Sequence, residues 1–225
     1  MTTRAVNMER RRDRILHHAR LIIGAEGFDA LNLRDLAAAA DVTVPTIYNL
    51  VGNKEQLLLS LHDALMSKIE ALFTTLESHR PLEMAEAIVN ESTALLAKES
   101  EFYRAAFLAS AYIEQRETPA HRSGIRHRSI RLPTVACEAA LAQGLLRGNV
   151  APEVLGEQMF ASYRAACRDW ACQKKSVEQF RVHALVAMYL CLAADATDDF
   201  RAHVLKKINE LSATPTAEEL LQTVQ

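Results

Sequence analysis

Residues that break or punctuate a chain are scarce here. Only seven Gly and six Pro occur in 225 residues, which excludes collagen-like, low-complexity and turn-dense all-β architectures. The four cysteines, Cys137, Cys167, Cys172 and Cys191, form no C-x-x-C pair and fall in helical segments. They read as free buried thiols in a reducing cytoplasm. The longest apolar run, Ala184 to Ala194, is too short to span a bilayer, and the N-terminus is charged rather than apolar, unlike a signal peptide. No membrane partner and a cytoplasmic location are therefore expected. No internal repeat of about 20 to 50 residues stands out.

The patterns that catalysis leaves in sequence are also missing. There is no G-x-G-x-x-G, P-loop, G-x-S-x-G or H-E-x-x-H, and the glycines lie singly near expected helix ends. The histidines, including His17-His18, His62 and His183, lack metal-ligand spacing and read as structural or solvated. No catalytic residue, metal or cofactor is expected, and the chain does not read as an enzyme.

Charge of one sign is absent globally, with a net charge of -2. Its distribution is uneven: residues 1–54 hold eight Lys/Arg against six Asp/Glu, so the remainder is acidic. A modestly basic front end suits contact with nucleic acid at one end of the chain.

What is present is helical periodicity. A first helix is expected from about Met8 to Glu26, with Ile15, Leu16, Ala19, Ile22 and Ile23 on one face and Arg10-Arg11-Arg12 and Arg14 ahead of it. Those arginines read either as a basic helix start beside phosphates or as a solvated helix end. The stretch Asn32 to Gln56, NLRDLAAAADVTVPTIYNLVGNKEQ, then reads as a helix, a turn, a second helix and the start of a third. Asn32 caps the first, with Asp35 in its first turn and Leu33, Leu36, Ala37 and Ala40 as its apolar stripe. Thr43 caps the second, where Val44, Ile47, Leu50 and Val51 cluster on one side and Pro45, Thr46, Tyr48 and Asn49 on the other. Gly52 stops it, and Asn53 with Gln56 forms a capping box. Two short helices joined by a turn, the second showing short polar groups, is the layout that places a recognition helix in a DNA major groove.

From about Ile15 to Leu57 the chain resembles the DNA-binding domain of the TetR family of bacterial transcription regulators. The residues that carry the likeness are Gly27-Phe28, Leu33-Arg34-Asp35-Leu36-Ala37, Val42, Pro45-Thr46-Ile47-Tyr48, Val51, Asn53-Lys54 and Leu57. The chain departs at Asp41, where the family usually has Gly at a position expected to need φ > 0, and at Leu50, often His or an aromatic. Arg34 is expected to read a guanine edge, Val44 and Pro45 to touch thymine methyls, Thr43, Thr46, Tyr48 and Lys54 to meet phosphates, and Asn49 to reach base or backbone.

Beyond residue 54 the chain reads as all helix: Lys54 to about Glu77, Pro81 to Lys98, Glu101 to Gln115, a segment from Thr118-Pro119 interrupted at Pro133 and resuming to Leu146, Glu153 to Gln173, Ser176-capped to Ala194, and Asp198 to Leu211. Ala213-Thr214-Pro215 would link to a short amphipathic tail. The expected fold is all-α, with a three-helix helix-turn-helix domain over 1–56 and a larger helical bundle for ligand binding and dimerisation over 57–225. Phe102, Tyr103, Phe107, Tyr112, Met159, Phe160, Tyr163 and Trp170 read either as core packing or, as the resemblance implies, as walls of a pocket for an apolar or aromatic effector. Arg122 and Arg126, in the basic run His121 to Arg131, read as a solvated face or as a holder of an acidic effector. The resemblance further implies a homodimer through the helices at 153–173 and 177–194, an inverted-repeat double-stranded DNA operator, and a repressor released by a small molecule. The alternative is a ligand-binding or interaction protein of the same fold without specific DNA recognition.

Overall fold

A computed structural model describes residues 3–75, 80–116 and 119–213, with backbone alone at 3, 65–66, 68–69, 72–75, 112–116 and 119–125. Ten helices occur among them: α1 Thr3–Glu26, α2 Leu33–Ala39, α3 Val44–Leu50, α4 Lys54–Thr75, α5 Pro81–Lys98, α6 Ser100–Arg116, α7 Pro119–Ala142, α8 Pro152–Ala171, α9 Val177–Asp195 and α10 Asp198–Ala213. The sole extended pairing among the described residues is an antiparallel bridge between Leu146 and Ala196. The segment expected to form a linker and tail after Ala213 lies outside the described residues.

The chain forms two compact units, Met1–Lys68 with Lys98–Ile125, and Ile69–Ala97 with Arg126–Gln225. In the first, α1 packs on α2, α3 and α6. Its core is the apolar stripe of α1, Ile15, Leu16, Ala19 and Ile23, together with Leu31, Leu36, Ile47, Leu57, Leu58 and Leu61, all buried. α1 begins at Thr3, earlier than the expected Met8, with Ala5 and Val6 half-buried in the added turn.

In the second unit α9 is central, packed by α8 on one side and α10 on another. Phe180, Leu185, Met188, Tyr189 and Leu192 are buried along it, each contributing roughly 1.5–3 kcal/mol. By length and composition alone α9 is apolar enough to cross a membrane. Its buried ring Tyr189 nevertheless carries a polar tip that donates to Glu86 Oε1 at 2.6 Å, and the same oxygen accepts from Lys207 Nζ at 3.1 Å. At its C-terminus Asp195, 1% exposed, is a buried carboxylate held by backbone donors. Its oxygens accept the N–H groups of Gly148 at 2.8 Å and Asn149 at 3.0 Å. Arg147 closes the clasp, donating from Nε to Ala196 O at 3.0 Å and from Nη2 to Asp198 Oδ1 at 2.6 Å.

Several expectations need correction. α7 is not interrupted at Pro133 but runs through it, although an interior proline costs about 3 kcal/mol. Tertiary packing overrides that cost: Leu132, Pro133, Thr134, Ala136, Cys137 and Ala140 are all buried, and Thr134 Oγ1 donates to Ile130 O at 2.8 Å in the turn that proline loosens. The helix then stops at Ala142 rather than Leu146, because Gly144 at φ +68 returns the N–H of Leu145 to Ala140 O at 2.9 Å. Cys172, expected to be buried, is exposed, because α8 ends at Ala171 and the chain leaves the core there, and Cys191, expected to be buried, is only half-buried.

α8 crosses α7 at Gly156, where a Cβ would lie 2.9 Å from the backbone N and Cα of Thr134. Gly to Ala inside a helix ordinarily stabilises by about 1 kcal/mol, but backbone cannot yield as a side chain does. Gly156→Ala is therefore expected to lower unfolding free energy by about 1–3 kcal/mol. Urea melts read the sign directly, and a stabilised variant would show the crossing is looser than described.

Candidate nucleic-acid interface

Asn32 caps α2, its Oδ1 accepting the N–H of Arg34 at 2.8 Å. Leu36 and Ala37 face inward, and Arg34 is exposed on the outer side. α2 ends at a left-handed residue: Asp41 has φ +50, its N–H reaches Ala38 O at 3.2 Å and the N–H of Val42 reaches Ala37 O at 3.0 Å. That pair of bonds turns the chain sharply into α3.

Thr43 caps α3, accepting from the N–H of Thr46 at 3.3 Å, while the two hydroxyls meet at 2.8 Å. Pro45 lies in the first turn, where a missing N–H costs nothing. Ile47 is fully buried, which fixes the rotation of the helix. Thr43, Pro45, Asn49 and Tyr48 are exposed, the last at 55%, and Val44 and Thr46 are half-buried. Six of the eight expected DNA-contacting residues thus sit together on one short helix and its cap, with Arg34 on α2.

Lys54 is placed differently. Its Nζ donates to Asp29 O at 2.9 Å and lies 4.7 Å from the centre of the Phe28 ring. The residue that opens α4 is thereby tied to the loop leaving α1. Gly52 at φ +99 and the reciprocal Asn53–Gln56 bonds, 2.8 and 2.9 Å, complete the junction.

Of the neighbouring wall of α1, the sequence pointed to the arginines but not to His17. Arg14 Nη2 donates to Asp41 O at 3.4 Å, joining α1 to the α2–α3 turn. Arg10, Arg14 and His17 bound the same cleft as Thr43 and Thr46. Their i, i+4, i+7 spacing was the signal that could have found His17.

The expected ligand-binding residues divide between the two units. In the first, Phe102 and Tyr103 are buried and meet edge to face at 4.9 Å. Phe102 packs on α1, with its Cβ 3.4 Å from a Cβ placed on Gly24 and the Arg20 guanidinium 5.1 Å above its ring. Arg20 also pairs with Glu99 at 3.6 Å. Burial pushes the Tyr103 phenol upward. Phe107 is half-buried, and the Tyr112 side chain lies outside the described residues.

In the second unit Met159 and Trp170 are fully enclosed, with Met159 Sδ 3.5 Å from Cys137 Sγ. Phe160 and Tyr163 are half-buried; Tyr163 stacks edge to face with Phe180 at 5.6 Å and Arg164 lies 5.9 Å from the Phe160 ring. Arg126 is exposed and pairs with Glu157 at 2.5 Å, while Arg128 grips Glu70 through two bonds of 3.1 and 2.7 Å. That grip holds the Glu70 carboxyl below its ordinary range. Burial pushes the Cys137 and Cys167 thiols up to about 12, so both stay protonated and unreactive at neutral pH. No cluster of His, Cys, Asp or Glu suited to a metal ion occurs among the described residues.

Residues 15–61 match the family model for bacterial regulatory proteins of the tetR family. This stretch is similar to the TetR-family helix-turn-helix. The whole chain has the fold of solved TetR-family regulators. The repressor SmeT of the Stenotrophomonas maltophilia multidrug efflux pump SmeDEF aligns with a TM-score of 0.62 at 18% identity, over 84% of this chain and 92% of that one. Thermus thermophilus FadR, a TetR-family repressor solved with lauroyl-CoA, gives 0.62 at 20% identity over 81% and 93%. A TetR transcription regulator from Haloarcula marismortui gives 0.67 at 12% identity over 84% and 100%. No curated protein matches by sequence.

The Lys54 contacts carry a measurable consequence. Lys54→Ala removes a charged donor and a cation–π contact on a part-exposed site and is expected to cost about 1 kcal/mol. A urea midpoint equal to that of the parent would mean the tether contributes nothing.

Proposed function

We propose that this TetR-fold protein is a transcriptional repressor that binds an inverted-repeat operator as a homodimer and leaves it when a small molecule binds. The observation that carries the reading is the exposed face of α3, Thr43, Pro45, Tyr48 and Asn49, held outward by the burial of Ile47. In this reading residues 1–56 contact DNA and 57–225 bind effector and partner, in the cytoplasm. Arg34 reads a base, Val44 and Pro45 meet thymine methyls, and Thr43, Thr46 and Tyr48 hold phosphates. Asn49 reaches base or backbone. Lys54 keeps two N–H groups after serving Asp29 and adds a phosphate contact.

An apolar or aromatic effector fits the composition of the body, and the FadR neighbour is solved with lauroyl-CoA, whose acyl chain is apolar. Phe160 and Tyr163, part-exposed on α8, are the aromatic residues of the second unit best placed to meet it. Dimerisation is supported by an uncovered strip: Val154 at 50% and Leu190 at 53% are exposed, and Ala161, Ala165 and Ala194 are exposed with them. Small and apolar residues on adjacent helices permit close packing of a two-fold mate.

Incubating the purified protein with fragmented DNA of its source genome and sequencing what is retained tests the reading. Fragments sharing one inverted repeat are expected, and Arg34→Ala should relax the preference at one base pair by about 1–3 kcal/mol. Retention without a shared site would instead favour a ligand-binding or interaction protein of this fold. Leu190→Glu, at an exposed position, should convert the dimer to a folded monomer in sedimentation experiments; a dimer of unchanged strength would move the interface elsewhere.

A further inference from the structure

α1 and the α2–α3 turn bound an open cleft of about 1000 Å³ beside the cap of α3. Arg10, Arg11, Arg14 and His17 line it from α1, and Thr43 and Thr46 face them. We propose that this cleft binds phosphate groups and that His17 is its proton-dependent contact, so that the phosphate is held more tightly as pH falls. The DNA backbone as the source of that phosphate rests on the function proposed above; a free polyphosphate offers the same chemistry.

Three observations support the assignment. Arg10, Arg14 and His17 follow one another along a single helical face, so their donors converge on one strip of the cleft. The Thr43 and Thr46 hydroxyls share one hydrogen in their 2.8 Å contact, which leaves the other hydroxyl hydrogen to donate to an anion. The charge balance is also close. Asp13 and Asp41 line the cleft as well, and Arg14 lies 3.9 Å from the Asp41 carboxylate.

Three guanidinium groups against two carboxylates leave a single positive charge, and protonated His17 doubles it. Imidazole is the side chain that ordinarily changes charge between about pH 5 and 8. The other titratable ring nearby is that of His18, edge-on to His17 at 5.4 Å. Towards α6, Glu99 is engaged by Arg20. Added positive charge at low pH attracts phosphate, so affinity rises as pH falls and declines as His17 loses its proton.

The test uses a labelled duplex of arbitrary sequence at low salt, because phosphate contact does not require an operator. Anisotropy titrations of the full chain at about pH 6 and about pH 8 should differ by about three- to tenfold. His17→Gln should bring that ratio close to one, while His18→Gln should keep it. Arg10→Gln should lower the salt slope by about one at both pH values. A pH response that survives His17→Gln overturns the proposal, whether or not the genomic selection finds an operator. Imidazole NMR signals of His17 give a readout without DNA: perturbation by inorganic tripolyphosphate supports the site even if duplex binding fails, and assigns it then to a free polyphosphate. No perturbation by tripolyphosphate or duplex overturns it.

Discussion

One residue in the left-handed region governs the geometry of the interface. At φ +50, Asp41 sends the N–H groups that follow α2 back onto Ala38 and Ala37, and the direction of α3 follows from that reversal. Glycine would adopt this backbone without penalty, whereas Asp accepts it at a cost on the order of 1 kcal/mol. The side chain recovers little, since its carboxylate is 96% exposed and 3.9 Å from Arg14, a geometry in which an ion pair contributes little. What Asp41 does supply is a carbonyl that accepts from Arg14 Nη2 at 3.4 Å and a negative charge on the rim of a basic cleft. Its effect therefore falls on electrostatics more than on stability.

The second unit depends on α9 in a comparable way, through polar groups buried with full partners. Asp195 is enclosed yet accepts two backbone N–H groups, and Tyr189 shares Glu86 with Lys207. Burial and the Glu86 bond push the Tyr189 phenol well above its usual range, so it stays a donor at any ordinary pH. Such networks are costly when half satisfied and orienting when complete. They fix which side of α9 is inward, and Leu190 is left outside as a consequence.

Local chemistry was legible in the sequence, and long-range chemistry was not. The caps at Asn32, Thr43 and Ser176 and the Asn53–Gln56 box stand where residue type and spacing place them, because a cap needs only its own first turn. The positive φ at residue 41 was expected from the resemblance to a family that usually has Gly there, rather than from local patterning. Continuation of α7 through Pro133 was not, because the reason lies in the packing of Thr134 against Gly156, 22 residues away. Nor was the engagement of Lys54 by Asp29, or that of Arg126 by Glu157, since a basic side chain in sequence carries no mark of its partner. The aromatic set in the body shows the same limit. Composition finds the rings but does not divide them between units, and Phe102 is committed to α1 by Gly24, a residue that hydrophobic patterning never singles out.

The charge distribution constrains how such a chain can use DNA. With a net charge of -2 and only a slight basic excess over residues 1–54, the protein has no broad positive field to draw in a polyanion. Screening at physiological salt confines exposed charges to about 8 Å, so the acidic remainder neither helps nor greatly hinders once contact is made. Affinity must then come from a few short contacts whose donors are already positioned. The features that position them are the bond from Arg14 to the turn, the cap of Thr43 and the Lys54 tether. A head built this way gains little from adding surface lysines and loses much from a small rotation of α3. That sensitivity would suit the ligand-driven release proposed above, because a modest displacement is then enough to break several contacts together.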